Sequence, residues 1–128
     1  MEPPVRIRVF HVDDHPLIRD SIAAVINSQP DMVLVACASR GAEAIQKFRE
    51  IRPDVTLMDL RLPDMSGIDA MIAIRNEFAN ARILILTTFD SDVEIQRAIE
   101  AGAGGYLLKS LPPREIVEAV RRAYAGNG

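Results

Sequence analysis

The sequence has a single cysteine, Cys37, set inside an apolar run, so no disulfide can form within the chain. No apolar run approaches the length of a membrane span. Met1 to Pro4 lack the apolar core of a secretory leader and run straight into a strand-like segment. Charge of one sign is not in excess either. The formal net charge is −3 at pH 7, which leaves no polycationic footprint for nucleic acid. Internal repeats and low-complexity stretches are missing, which argues against repeat arrays and biased linkers. These absences lead to the expectation of a cytoplasmic protein without membrane contact.

What is present suits one domain with one core: 128 residues, 48% of them hydrophobic and 26% charged. Val5 to Val12 alternates Val5, Ile7 and Val9 with Arg6 and Arg8 and reads as a strand, with Asp13 and Asp14 directly after it. Pro16 to Ser28 carries Ile18, Ile22, Val25 and Ile26 on one helical face. Pro16 suits the first turn, where its missing N–H has no helical partner. Met32 to Ala38 is a second strand, and Ser39 to Ile51 a second helix with Ile45, Phe48 and Ile51 inward. Val55 to Asp59 is an apolar run that ends on a carboxylate, with the loop residues Pro63, Ser66 and Gly67 after it.

Ser66 opens a third helix with Asp69 three residues on, the capping-box spacing, and with Ile68, Met71, Ile72 and Phe78 inward. Ile83 to Leu86 is a fourth strand ending at Thr87 and Thr88. Ser91 and Glu94 repeat the capping spacing before a short helix with Ile95, Ala98 and Ile99 inward, and Gly102 stops it. Tyr106 to Leu108 is the last strand, followed by Lys109 and Ser110. Pro112 and Pro113 open a final helix, Arg114 to Ala125, with Ile116, Val117, Val120 and Tyr124 on its inner face. Such strict alternation predicts an α/β fold: a doubly wound, five-stranded parallel sheet with right-handed crossovers and helices on both faces.

In a parallel sheet all strands point their carboxyl ends at one edge, where ligands bind. The residues just past those ends are Asp13, Asp14, Asp59, Thr87, Thr88 and Lys109. Helix capping by Asp13, Asp14 and Thr87 is the bland account of part of this set. Three adjacent carboxylates repel unless a cation sits among them. An incomplete shell of oxygen ligands suits magnesium. Three carboxylates at about −3, the ion at about +2 and Lys109 at about +1 bring the site near neutrality. Thr87 offers a hydroxyl and Lys109 a point charge to an incoming anion. A carboxylate, a magnesium ion and a lysine around one phosphoryl group make a phosphoryl-transfer site with a carboxylate nucleophile.

The segments Asp13-Asp14, Asp59-Leu60-Arg61-Leu62-Pro63-Asp64-Met65-Ser66-Gly67, Thr87 and Gly105-Tyr106-Leu107-Leu108-Lys109 together resemble the receiver domain of two-component response regulators. The likeness covers essentially the whole chain, 1–128. Asp14-His15-Pro16-Leu17, Leu86-Thr87-Thr88-Phe89 and Gly104-Gly105-Tyr106-Leu107-Leu108-Lys109 are most similar to the NarL/FixJ (LuxR-type) subfamily. The resemblance implies a flavodoxin-like (βα)5 fold with strand order 2-1-3-4-5. It implies Asp59 as phosphoacceptor, Asp14 and Asp59 as direct Mg2+ ligands with the backbone carbonyl of Arg61, and Asp13 reaching the ion through water. Thr87 and Tyr106 would be the switch pair, with Lys109 on the phosphoryl oxygen. One departure is Ser110, where many receivers carry proline after the lysine.

The implied function is a phosphorylation-dependent switch, charged by a sensor histidine kinase, that catalyses only its own phosphorylation and dephosphorylation. Transcription would be controlled through a helix-turn-helix output domain that is not in this chain, and DNA contacted only through it. Drawing Thr87 toward the phosphoryl group would leave space for the Tyr106 ring to turn from solvent toward the core. The expected outcome is a phosphorylation-dependent homodimer or partner contact through the fourth or fifth helix, with the fifth favoured. Arg61 and Phe89, bulky residues after the acceptor and the threonine, lead to the expectation of slow self-dephosphorylation.

The rival from another class is a magnesium-dependent phosphohydrolase with an aspartyl-phosphate intermediate. It needs a second Asp two residues after the nucleophile, where this chain has Arg61, which cannot accept a proton. A degenerate receiver used only for protein binding is disfavoured, because every position needed for chemistry is present. His15 reads as a solvated residue at a helix start, since magnesium prefers oxygen. His11 reads as a satisfied, partly buried residue. Gly102, Gly104 and Gly105 precede a strand, the reverse of the dinucleotide fingerprint. Arg114, Arg121 and Arg122, interleaved with Glu115 and Glu118, read as a solvated face.

Overall fold

The alternating apolar runs and helical periods fold as β1 (Ile7–Val12), α1 (Pro16–Asn27), β2 (Met32–Ala38), α2 (Gly41–Ile51) and β3 (Val55–Asp59). Then come α3 (Gly67–Glu77), β4 (Ile83–Thr87), α4 (Asp92–Glu100), β5 (Gly105–Leu108) and α5 (Pro113–Ala125). The computed structural model describes residues 6–88 and 92–126. Val5, Phe89 and Ser91, to which the sequence reading gives roles, lie outside the described residues.

All strand pairs are parallel, in the order β2-β1-β3-β4-β5. Every residue of β3 and β4 is buried, which is why both read as unbroken apolar runs. The strand period of two divides their side chains between two cores. Leu57, Leu84 and Leu86 pack with Ile26 of α1 and Val120 of α5. Met58, Ile83 and Ile85 pack on the other face with Phe48 of α2, Met71 of α3 and Ala98 of α4. Burial of each large side chain contributes about 1.5–3 kcal/mol, so both faces must stay covered.

Two inward assignments fail. Ile99 is 59% exposed and Tyr124 38% exposed. Only Ala98 of the short α4 is buried, so the helix meets the sheet along a narrow line that Ile99 turns away from. Tyr124 lies at the end of α5, with the Arg82 guanidinium 6.0 Å from its ring centroid. The capping box at α3 is half formed. Ser66 Oγ accepts from the Ile68 N–H at 3.1 Å, while Asp69 is drawn to Arg97 of α4 at 2.7 Å. Arg121 is not merely solvated: its guanidinium donates to Asp31 at 2.9 Å and ties α5 to the turn before β2. Gly102 has φ 98, the left-handed stop expected of it. No peptide bond among the described residues is cis, the Lys109–Ser110 bond included.

At the free edge of β2, side chains of the flanking helices take up backbone groups. Leu34 N–H donates to Asn27 Oδ1 at 3.1 Å, and Lys47 Nζ donates to the Cys37 carbonyl at 2.6 Å. Just past the strand, Ser39 N–H donates to Glu43 Oε1 at 2.8 Å.

The turn between β3 and α3 is tight. Gly67 N–H donates to the Leu60 carbonyl at 2.7 Å, and Arg61 pairs with Ser66 in an isolated bridge. A Cβ on Gly67 would clash with the Asp59 carbonyl oxygen and lie 2.9 Å from its carbon. One on Gly104 would meet nothing closer than 3.6 Å. Gly67→Ala is therefore expected to cost about 1–3 kcal/mol or more through overpacking against backbone. Gly104→Ala should have a much smaller effect, and chemical denaturation of both variants compares them.

Candidate functional site: an acidic pocket at the carboxyl edge of the sheet

With every strand running the same way, β1, β3, β4 and β5 deliver their last residues to one edge. Asp13 and Asp14 follow β1, Asp59 ends β3, Thr87 ends β4 and Lys109 follows β5. Backbone bonds fix these ends against each other. Asp13 N–H donates to the Ala38 carbonyl at 2.9 Å, and Lys109 N–H to the Thr87 carbonyl at 2.8 Å. Asp14, His15, Asp59, Arg61, Thr87 and Lys109 line an open cleft of about 390 Å³.

The chemistry centres on Lys109. Its Nζ lies 2.8 Å from Asp13 Oδ2 and 3.1 Å from Asp59 Oδ2, and all three side chains are almost fully buried. Burial pushes the Asp59 carboxyl above its usual range, and the Asp13 charge adds to the effect against the pull of Lys109. Burial acts on Asp13 in the same upward direction. Hydrogen bonds from Lys109 and from the His15 backbone and ring outweigh it, and hold that carboxyl below its usual value. The two acids are thus pushed apart, with Asp13 as the more firmly ionised member.

The structure brings Asp13, Asp14, Asp59, Thr87, Lys109 and the Arg61 backbone to this edge. Tyr106 is not in it. Tyr106 pairs in register with Ile85 and is half-buried, packed against the core that α2, α3 and α4 cover. The Arg61 side chain turns away to α4, where Nη2 donates to Glu94 Oε1 at 2.9 Å.

Sequence reasoning misses four features here. His15 is exposed, yet its Nδ1 turns into the acidic group, 2.8 Å from Asp13 Oδ1, 3.3 Å from Asp14 Oδ1 and 3.8 Å from Asp59 Oδ2. His11 is wholly buried, not partly, and neither ring nitrogen has a hydrogen-bond partner. Burial lowers its pKa to about 4, so it stands neutral behind Asp13. Asp64 spans the loop to cap α2, accepting from Gly41 N–H at 2.7 Å and Ala42 N–H at 3.0 Å. Glu94 anchors Arg61. The only sequence signals were the Asp13-Asp14-His15 adjacency and the absence of a capping side chain at Arg40.

The donor set fits a hard divalent cation. Asp13, Asp14, Asp59 and His15 offer atoms that all lie within 4.8 Å of one another. Asp59 Oδ2 is buried and faces the Lys109 ammonium at 3.1 Å. Carboxylates in excess of the one ammonium leave room for about two positive charges, the condition magnesium satisfies.

Comparison with known proteins agrees with this geometry. The sequence profile of the response regulator receiver domain matches residues 9–121. The response regulator protein VraR of Staphylococcus aureus is 38% identical over 120 residues, 94% of this chain; this chain spans 57% of that relative's length. A LuxR-family two-component response regulator from Aurantimonas sp. SI85-9A1 superposes with TM-score 0.91 at 40% identity, covering 94% of this chain and 86% of the other. The signal receiver domain of the response regulator NarL from Mycobacterium tuberculosis gives TM-score 0.92 at 33% identity, covering 96% and 99%. Fold, pocket and relatives agree that the chain belongs to the response regulator receiver domain family, among its LuxR-type (NarL/FixJ) members.

Proposed function

We propose that this chain is a phosphorylation switch in which Asp59 accepts a phosphoryl group from the phosphohistidine of a sensor kinase. The observation that carries the reading is Asp59 Oδ2, buried at the strand end and paired with Lys109 Nζ at 3.1 Å. A carboxylate oxygen attacks phosphorus, the P–N bond to the donor imidazole breaks, and the imidazole nitrogen leaves with the electron pair. Lys109 follows the charge as it moves from carboxylate to phosphoryl oxygens. Asp14, Asp59 and the Arg61 carbonyl would hold magnesium, with Asp13 acting through water. The ion would supply neutralisation of the negative charge on the carboxylate and phosphoryl oxygens. Thr87 donates its hydroxyl to the new phosphoryl group.

The phosphohydrolase reading is disfavoured because Arg61 is held by Glu94 at the position where a second acid would be needed. Among the described residues no helix is long and apolar enough to cross a membrane. Control of transcription would run through a DNA-binding output domain, the role expected of LuxR-type members; this chain spans 57% of the length of its relative VraR.

Movement of Thr87 toward the phosphoryl group would alter the packing of Tyr106 and so the face built by α4, β5 and α5. Val93 on α4 is 76% exposed, and Ile99 is exposed with it, which supports α4 as part of a contact between two copies. The outward face of α5 is charged and is the weaker apolar candidate.

Acetyl phosphate with magnesium is expected to add one phosphoryl mass to the protein and none to Asp59→Asn, read by intact mass spectrometry; equal modification of the variant would refute the assignment. Thr87→Ala should still be phosphorylated, yet its phosphorylated form should associate about tenfold more weakly, the effect of about 1.4 kcal/mol. Sedimentation of both phosphorylated proteins measures this, and equal association would remove Thr87 from the relay.

A further inference from the structure

We infer that Arg61 changes partner when Asp59 is phosphorylated, leaving Glu94 of α4 for the phosphoryl oxygens. Glu94 is thereby a positioning residue that sets how long the phosphoryl group lasts. This rests on the reading of Asp59 as the acceptor and deepens it. Arg61 stands at the boundary of two hollows. It lines the cleft that holds Asp59 and Lys109, and also a groove of about 450 Å³ between the β3–α3 loop and α4. Its N–H lies 3.4 Å from Asp59 Oδ1, so the side chain springs from the rim of the cleft. Besides Lys109 it is the one permanent cation among the described residues that line the cleft.

In the unphosphorylated protein the guanidinium is held outside. Nη2 donates to Glu94 Oε1 at 2.9 Å, with the Arg61 side chain 67% exposed and that of Glu94 30%. An ion pair this open to solvent is weak, because water screens both charges and two long side chains must be ordered. A phosphoryl group on Asp59 brings about two negative charges and three acceptor oxygens into the cleft. A guanidinium offers paired donors that match such oxygens, and hydrogen bonds between ionised partners are the stronger kind. The exchange therefore runs from a screened carboxylate to a denser anion.

Hydrolysis of the phosphorylated form joins a water oxygen to phosphorus and breaks the bond to Asp59. The carboxylate leaves with the electron pair, and the water protons pass to phosphate and solvent. The water must stand about 3–3.5 Å from phosphorus, on the side opposite Asp59. Asp59 is buried at the floor of the cleft, so that side is the open mouth. A guanidinium on the phosphoryl oxygens covers this approach, and Glu94 uncovers it by drawing the guanidinium away. The exchange also removes a tether from α4. Ala98 is the buried residue of that helix, and ion pairs from Arg61 to Glu94 and from Asp69 of α3 to Arg97 tie it down. With the first pair gone, the turn that carries the exposed Val93 is released while Arg97 holds the next.

The test follows decay of the phosphorylated species by intact mass spectrometry after acetyl phosphate is removed, with magnesium present throughout. Glu94→Gln keeps the shape and drops the charge, and should decay at least about threefold more slowly than the wild type. Arg61→Ala keeps the backbone carbonyl and should decay faster by a similar factor. The double variant should decay as Arg61→Ala does, and Glu94→Asp should fall nearer the wild type than Glu94→Gln. Equal or faster decay in Glu94→Gln would overturn the inference, as would slowing by Glu94→Gln in the absence of Arg61. Hydrogen exchange reads the other end of the pair. Amides of α4 should exchange faster on phosphorylation in the wild type and in Thr87→Ala, and unchanged protection in either would overturn it. Failure of the wild type to accept a phosphoryl group would instead refute the reading of Asp59.

Discussion

One ammonium held between two buried carboxylates is the contact on which this pocket depends. Lys109 reaches Asp13 and Asp59 from the far side of β4, so a single charge joins the ends of β1, β3 and β5. Stripping the cation from such a group leaves buried anions uncompensated, a loss of about 3–5 kcal/mol in comparable pairs. The same contact sets the electrostatic asymmetry of the two acids. Asp13 is stabilised as an anion, and Asp59 is left as the carboxylate less comfortable with its charge. A group entering the cleft to share Lys109 with Asp59 therefore relieves a strain already present.

The acceptor must also be held still, and that task falls to the turn after β3. Gly67 lets the backbone fold directly against the Asp59 carbonyl, and Ser66 starts α3 there with its hydroxyl on the Ile68 N–H. Asp64 then fastens the loop to the start of α2, and Met65 fills the space over Gly41. The loop is thus clamped at both ends by helix N-termini, whose unpaired N–H groups need acceptors in any case. Helix capping and acceptor positioning are one set of bonds here.

The fold and most of the pocket were legible because they follow from one-dimensional patterns. Buried strands such as Ile83 to Thr87 announce themselves as apolar runs, and a parallel sheet brings their ends together whatever lies between. What sequence left hidden depends on tertiary direction. Ala98 and Ile99 both follow Ile95 at helical spacing, three and four residues on, and only the packing of a short α4 decides which one faces the sheet. Asp69 has the spacing of a capping residue, but Arg97 from another helix outbids the local partner. His15 reads as solvated because exposure and ring direction are separate properties: most of the side chain is open to solvent while Nδ1 points inward. His11 gave no sign of isolation, since the partners a buried imidazole finds or lacks come from other strands.

The treatment of the β2 edge has a consequence for how this protein meets copies of itself. A sheet with an open edge offers unpaired backbone groups as a template for another strand, the route into swapped and fibrillar assemblies. Here Asn27 and Lys47 reach across from α1 and α2 and occupy such groups at Leu34 and Cys37. These two groups are taken by side chains instead of by another strand. Copies crowded together are then offered side-chain surfaces of the helices at these positions in place of open strand backbone.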